Sequence, residues 1–299
     1  MNSIDRYRTL LDSLVSSWNG LPDKPDETPE FTLQAIWQHV SQADTYNIHS
    51  LPHLDDEQYE LVLDMVHRRT QGTPLAYLLG HQDFLGIRFL CTPQAMIPRK
   101  ETELLAQVCV ETVRELVNET QQIKVIDLCT GCGNIALSMA YYEPACRVIG
   151  SDISPDAISL AQRNANHLHL ADRVEFLVGD LFSPFSRQKD PLTVDLVTCN
   201  PPYVSTANLE KMAAEIQHHE PRHAFDGGHF GIQIMIRLLH ETPSYLKHQG
   251  WLCFEVGLGQ GQGMVNMLKR SRQYDDIQTF TDINGEIRVI KARLDGKSS

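Results

Sequence analysis

The chain has 299 residues, 42% of them hydrophobic and 21% charged, and carries a formal net charge of −12. That balance is ordinary for a soluble globular protein. No apolar run approaches the ~20 residues of a membrane span, and the acidic excess speaks against stable grip on a nucleic-acid backbone, which calls for a basic face.

Met1-Asn2-Ser3-Ile4-Asp5 lacks a basic segment leading into an apolar one and carries an early acid. Neither a secretory nor a mitochondrial leader is therefore predicted. The seven cysteines (91, 109, 129, 132, 146, 199 and 253) are odd in number and often lie inside apolar runs. They read as reduced thiols of a cytoplasmic protein, not as a disulfide framework.

The first third has helical spacing: Ile4, Tyr7, Leu11 and Leu14, then Leu33, Ile36, Trp37 and Val40, then Leu61, Val62, Met65 and Val66. A Pro-rich acidic loop runs from Gly20 to Pro29 between the first two. Asp83–Leu90 and Gln94–Ile97 read as short strands around a turn. A helix follows Pro98, with Leu104, Leu105, Val108, Val113, Leu116 and Val117 on one side. From Lys124 onward, apolar strand candidates at 125–128, 147–150, 174–178, 195–198 and 251–255 are mostly separated by helices, such as 135–142 and 155–168. Alternation of that kind implies a parallel, doubly wound α/β sheet. Two last strand candidates, 277–282 and 287–292, flank Asn284-Gly285, a hairpin signal. The organisation expected is a helical domain over 1–80, a β-hairpin linker over 81–98 and a catalytic domain over 99–299.

Asp127-Leu128-Cys129-Thr130-Gly131-Cys132-Gly133 follows the first strand of that sheet and opens a helix. Gly131 and Gly133 remove Cβ atoms where a ligand approaches the backbone, the helix start offers free N–H groups, and Asp127 suits a cationic ligand group. The same segment satisfies G-x-G-x-x-A with Asp152 about 20 residues on, so the loop alone fits either NAD or S-adenosylmethionine. Asp152 ends the second strand, where an acid binds ribose hydroxyls. Asp180 ends the third, where a carboxylate receives an adenine amino group. Cys129-x-x-Cys132 has the spacing of a zinc or redox half-site, but no second pair follows, and no metal is expected.

The fourth strand runs into Asn200-Pro201-Pro202-Tyr203. Asn200 and Pro201 both precede prolines and are pushed into extended geometry. The prolines present carbonyls without competing N–H groups. The Asn200 side-chain oxygen and the Pro201 carbonyl are two acceptors suited to the two hydrogens of a planar –NH2 group, with Tyr203 supplying an aromatic face. An amide or aromatic amine is a weak nucleophile, so orientation is the main catalytic task.

With these residues, the chain resembles the HemK/PrmC-type protein-(glutamine-N5) methyltransferases. The likeness is carried by Asp127–Gly133, Asp152-Ile153-Ser154-Pro155 and Asn200–Tyr203. It extends to Gly72–Gly80 with Phe84, to Ile97-Pro98-Arg99-Lys100-Glu101-Thr102-Glu103, and to His219-Glu220-Pro221 with Asp226-Gly227-Gly228. Lys100, Cys129 and Cys132 depart from the usual proline and small residues.

The resemblance implies a Rossmann-like seven-stranded S-adenosylmethionine methyltransferase sheet with a C-terminal antiparallel hairpin, plus a small N-terminal helical domain that docks the substrate. It implies that Asp127, Cys129, Thr130, Gly131, Cys132, Gly133, Asp152, Ile153, Asp180, Leu181 and Asn200 bind the cofactor, and that Asn200, Pro201, Pro202 and Tyr203 form the glutamine pocket. The substrate implied is the Gly-Gly-Gln glutamine of peptide chain release factors, methylated by a cytoplasmic monomer. A ribosomal-protein glutamine, or an adenine or cytosine amino group, is the alternative acceptor. Arg99, Glu101 and Glu103 read as either substrate contacts or a structural ion-pair cluster, with the structural reading favoured because surface ion pairs are common.

Overall fold

The computed structural model describes residues 3–18, 20, 24, 26–43, 51–117, 122–186 and 192–295. Residues 21–23 and 25 of the Pro-rich loop lie outside the described residues. Two compact units emerge: Met1–His81 with Lys211–His219, and Gln82–Glu210 with Glu220–Ser299. Among the described residues no helix is long and apolar enough to cross a membrane.

The first unit is helical: α1 (Ser3–Ser17), α2 (Pro29–Ser41), α3 (Asp56–Thr70) and α4 (Leu75–Leu79). Local chemistry sets the starts. Thr28 caps α2 by accepting from the Phe31 amide, and Pro29 fills the first turn, where no donor is needed. Asp55 and Gln58 form a reciprocal capping box on α3. Tyr7, Leu14, Leu33, Ile36, Trp37, Val62 and Met65 meet in one buried cluster.

A segment from far along the chain joins this unit. Glu215, in α8 (Ala214–His219), accepts from Lys24 Nζ at 2.6 Å and from Arg69 Nη1 at 2.5 Å, and Arg69 also reaches Glu27. Burial works to raise the Glu215 pKa, but the charges of Lys24 and Arg69 outweigh it and hold the group below its ordinary value. A depressed carboxylate stabilises the fold at neutral pH and loses that contribution as pH falls below the ordinary carboxylate range and through its depressed folded pKa. Removing one partner of a buried pair costs about 3–5 kcal/mol. Because Glu27 remains on Arg69, Glu215→Gln is expected to cost about 2 kcal/mol at neutral pH, read as a lower melting temperature, and to abolish part of the acid sensitivity. An unchanged melt would show that the ion pairs do not hold α8.

The second unit begins with a hairpin, β1 (His81–Phe84) and β2 (Ile87–Leu90). Its turn falls at Leu85-Gly86, both with positive φ (50° and 72°), the geometry of a two-residue primed turn. Gln94–Ile97 is not the strand expected of it. Pro93 and Pro98 bracket it without donors, and the Ile97 amide goes instead to Glu220 Oε2 at 3.0 Å. Phe84, Ile87 and Phe89 are buried in the same core as Leu105, Cys109, Ala136 and Ala161.

A seven-stranded sheet follows: β3 (Ile123–Leu128), β4 (Cys146–Asp152), β5 (Val174–Val178), β6 (Val194–Cys199), β7 (Leu246–Glu255), β8 (Tyr274–Thr281) and β9 (Ile287–Leu294). The spatial order is β5-β4-β3-β6-β7-β9-β8. The first five of these pair in parallel, and β9 is antiparallel to both neighbours. The sheet's helices include α5 (Glu103–Leu116), α6 (Asn134–Tyr142), α7 (Pro155–His167), α9 (Gln233–Glu241) and α10 (Gly261–Ser271). Two buried clusters sandwich it. One holds Val125, Leu137 and Val148; the other holds Ile126, Val197, Leu252 and Phe254. The β8–β9 turn closes as Asn284-Gly285 suggests, with Gly285 at φ 81° and Asp282 accepting from the Asn284 and Glu286 amides.

Candidate active site

Strand order decides where the two chemical segments meet. β3 and β6 are parallel neighbours, and Leu128 sits opposite Cys199. The chain therefore leaves both strands at the same edge, and the 129–133 loop emerges beside Asn200. This is the reversal point of the strand order, where open α/β sheets bind ligands.

In the first loop Asp127 is fully buried. Its Oδ2 accepts from Thr130 Oγ1 at 2.5 Å, while its Oδ1 has no hydrogen-bond partner among the described residues. Burial pushes the carboxyl up to about 7. The two glycines do different work. Gly133, at φ 85°, caps α6, and a Cβ there would stand 2.9 Å from Phe176 and 3.1 Å from Leu137. Gly131, at φ 56°, would meet nothing within 4 Å. One glycine is needed for packing, and the other leaves open space over the loop. Cys129 also takes a positive φ, of 55°.

Asp152 links this loop to the next. Its Oδ2 accepts from the Gly131 amide and its Oδ1 from the Ser154 amide, both at 2.9 Å. Burial raises its pKa and those bonds oppose the rise. Ile153, next to it, is exposed. Leu181 is buried at φ 46°, with its carbonyl accepting from Ser151 Oγ. Asp180 is the exception. Its exposed carboxylate is taken by Arg237 of α9, whose Nη1 reaches both oxygens at 3.1 and 2.9 Å. Arg237 takes up part of the acceptor capacity of this carboxylate and leaves lone pairs for a further donor. The loop cysteines do not share a partner: Cys132 Sγ donates to Asn134 Oδ1 and burial pushes its thiol up to about 12, whereas Cys129 lies beside Cys199.

The second segment is held from several sides. Asn200 Nδ2 donates to Thr102 Oγ1 at 3.1 Å. Tyr203 Oη donates to Glu255 Oε1 at 3.0 Å, and the Tyr203 carbonyl accepts from Gln260 Nε2 at 3.0 Å. Val204 exchanges backbone bonds with Phe225 and Gly227. Close approach explains the glycines there. A Cβ on Gly227 would stand 2.6 Å from the Pro202 carbonyl oxygen, and one on Gly231 would stand 2.2 Å from that of Tyr203. Arg99 is buried and pairs with Glu220, which also takes the Ile97 amide. The Ile97–Glu103 and His219–Pro221 segments are thus two halves of one internal ion pair. Glu103 accepts from the Leu85 amide at 2.8 Å and pins the hairpin turn.

Thr102, Glu255, Gln260 and Arg288 were not singled out from sequence. Glu255 carried a usable signal: it is an acid ending an apolar strand, like Asp127 and Asp152. Burial pushes its carboxyl up to about 7.

Comparison with known proteins agrees with this geometry. Residues 119–255 match the methyltransferase domain family, and residues 20–80 match the PrmC N-terminal domain. Release factor glutamine methyltransferases of Geobacter sulfurreducens and Moorella thermoacetica are 38% and 39% identical to the chain, over 81% and 76% of its length and 80% and 77% of theirs. That of Koribacter versatilis is 33% identical over 95% of this chain and 98% of its own. The N-terminal domain of human METTL16, solved with SAH, shares the fold at a TM-score of 0.53 and 13% identity, covering 92% of this chain and 97% of that one. Sheet order, the loop after β3 and the matched domain together define an S-adenosylmethionine-dependent methyltransferase. The relatives narrow the class, and the chain belongs to the release factor glutamine methyltransferase family.

Proposed function

We propose that the chain methylates the side-chain amide nitrogen (N5) of a glutamine, the one in the Gly-Gly-Gln motif of peptide chain release factors. The observation that carries this reading is the emergence of Asn200-Pro201-Pro202-Tyr203 beside the glycine loop, fixed by the pairing of Leu128 with Cys199. In this reading Asn200 Oδ1 and the Pro201 carbonyl accept the two amide hydrogens, and Pro202 and Tyr203 wall the pocket. Holding the amide plane this way turns its nitrogen toward the donor, and orientation of that kind supplies several kcal/mol. S-adenosylmethionine, when bound, supplies an electrophilic methyl group.

The buried unpaired oxygen of Asp127 and the open space over Gly131 fit a cationic cofactor with a nucleoside part. Cys129, Thr130, Cys132 and Gly133 shape that cradle, Asp152 faces the ribose, and Ile153 and Leu181 give an apolar flank for the purine. Asp180, steadied by Arg237, offers its remaining lone pairs to the adenine amino group. The helical unit over 1–80 docks the protein substrate, the segment 81–98 leads into the catalytic unit, and the enzyme works as a cytoplasmic monomer.

Two measurements test this. The first is incubation with labelled S-adenosylmethionine and either purified release factor, ribosomal proteins or nucleic acid; label on release factor alone is the expected result, and label on the others instead would move the substrate assignment. The second concerns pH. A cationic ligand prefers ionised Asp127, so affinity falls as pH drops through about 7. Cofactor binding by calorimetry should be roughly tenfold weaker at about pH 6 than at about pH 8. Equal affinities would remove Asp127 from the cofactor site.

A further inference from the structure

An asparagine side chain is nearly symmetric in shape but not in chemistry. One flip offers an oxygen to the acceptor pocket, and the other offers an –NH2 group. Only the first accepts a hydrogen bond from a substrate amide; the second sets donor against donor. Pocket size cannot choose between them, so something else must.

We propose that Thr102 and Glu255 set the orientation of the Asn200 amide, making both positioning residues for the glutamine; this rests on the function proposed above. Thr102 Oγ1 accepts from Asn200 Nδ2 at 3.1 Å, so the oxygen is the end of the amide left for substrate. A hydroxyl that accepts on one side must send its own proton elsewhere. Beside it lies the carboxylate of Glu255, on which the Thr102 hydroxyl acts as a hydrogen-bonding neighbour. Glu255 is 1% exposed and also receives the Tyr203 hydroxyl at 3.0 Å, with Arg288 of β9 at 3.6 Å. An ionised carboxylate can only accept. It therefore sets the direction of the chain: Asn200 donates to Thr102 and Tyr203 donates to Glu255 Oε1, while Glu255 Oε2, which has no hydrogen-bond partner among the described residues, is the acceptor that draws the Thr102 hydroxyl proton away from Asn200. Tyr203, at one end of the acceptor tetrad, is anchored on Glu255, and Asn200, at the other, on Thr102 beside it.

An independent observation supports the assignment. Thr102 stands at the N-cap of α5, where a threonine hydroxyl ordinarily accepts from the helix's first amides. Here it makes no such bond. The side chain is buried and turned to Asn200 instead.

The groups facing Glu255 are Thr102 and Glu101 before α5, Tyr203 after β6, and Arg288 on β9. Burial places its protonation near neutrality. Once protonated it becomes a donor, and the direction of the chain is no longer enforced. Turnover at saturating cofactor should then show an acid limb that Glu255→Gln flattens.

The deciding experiment compares Thr102→Val, which keeps the shape and removes the acceptor, with Thr102→Ser, which restores it. Turnover on release factor, cofactor affinity and melting temperature are measured for both and for the parent. Thr102→Val should lose roughly 10- to 100-fold in kcat, as residues that orient a primary contact do. Its cofactor affinity should stay within about threefold, and Thr102→Ser should recover most of the rate. Thr102→Val turning over like the parent would overturn the proposal. So would loss of cofactor affinity and melting temperature in step with the rate, or failure of Thr102→Ser to rescue. An inactive parent chain would instead count against the function itself, and with it against this proposal.

Discussion

Asn200→Ala is expected to reduce methyl transfer by about three orders of magnitude or more while the protein stays folded. The size follows from what is removed. Without its side-chain oxygen the pocket keeps one acceptor, the Pro201 carbonyl, and a single hydrogen bond cannot define the plane of an amide. Losing one well-placed polar group at a reacting centre costs about 10²–10³ in rate, and losing the geometry adds to it. The cost to the fold is small. Asn200 is half-buried, and its side chain donates to Thr102, so the variant leaves a buried hydroxyl short of a donor, worth about 1–2 kcal/mol. Asn200 also counts among the proposed cofactor contacts, so calorimetry should show a cofactor affinity reduced by roughly tenfold at most, the loss of about one hydrogen bond and far less than the loss in rate. Near-parental turnover would remove the acceptor pocket from the account.

The second large effect is on stability. Arg99→Ala strands Glu220, whose side chain is 0% exposed, and leaves it the Ile97 amide as its hydrogen-bond donor among the described residues. Breaking a buried pair from one side costs about 3–5 kcal/mol, a fall on the order of 10 °C in melting temperature for a unit of this size. Arg99→Lys should recover part of it, since a lysine restores the charge but not the fork of donors. Were Arg99 a substrate contact, the pattern would invert: activity would fall and the melting temperature would hold.

Much of this was legible beforehand because period-2 and period-3.6 patterns and pre-proline geometry are local. The strands at 125–128, 174–178 and 195–198 lie inside the observed ones, and the Asn284-Gly285 turn closes as its chemistry demands. What stayed hidden was either an unusual backbone angle or a partner far away in sequence. Leu85 hides a hairpin turn because leucine seldom takes a positive φ. The Arg237 partner of Asp180, 57 residues away, is invisible to spacing. The Glu215 bond to Arg69 spans 146 residues and places α8 with the first unit. Thr102 and Glu255 look like a helix cap and a strand end until the sheet brings them to Asn200. Residues 20–80, where little likeness is evident by eye, match the PrmC N-terminal domain as a whole, because a helical core tolerates exchange of apolar residues that keep volume and period.

If the pocket after β6 takes a protein glutamine, fragment mass spectrometry of release factor after incubation with the chain and S-adenosylmethionine should show one added methyl group. It should sit on the glutamine of the Gly-Gly-Gln motif and be absent when that residue is replaced by alanine. A folded, cofactor-binding chain that leaves this glutamine unmodified, or marks another residue or a nucleic acid instead, would contradict that reading.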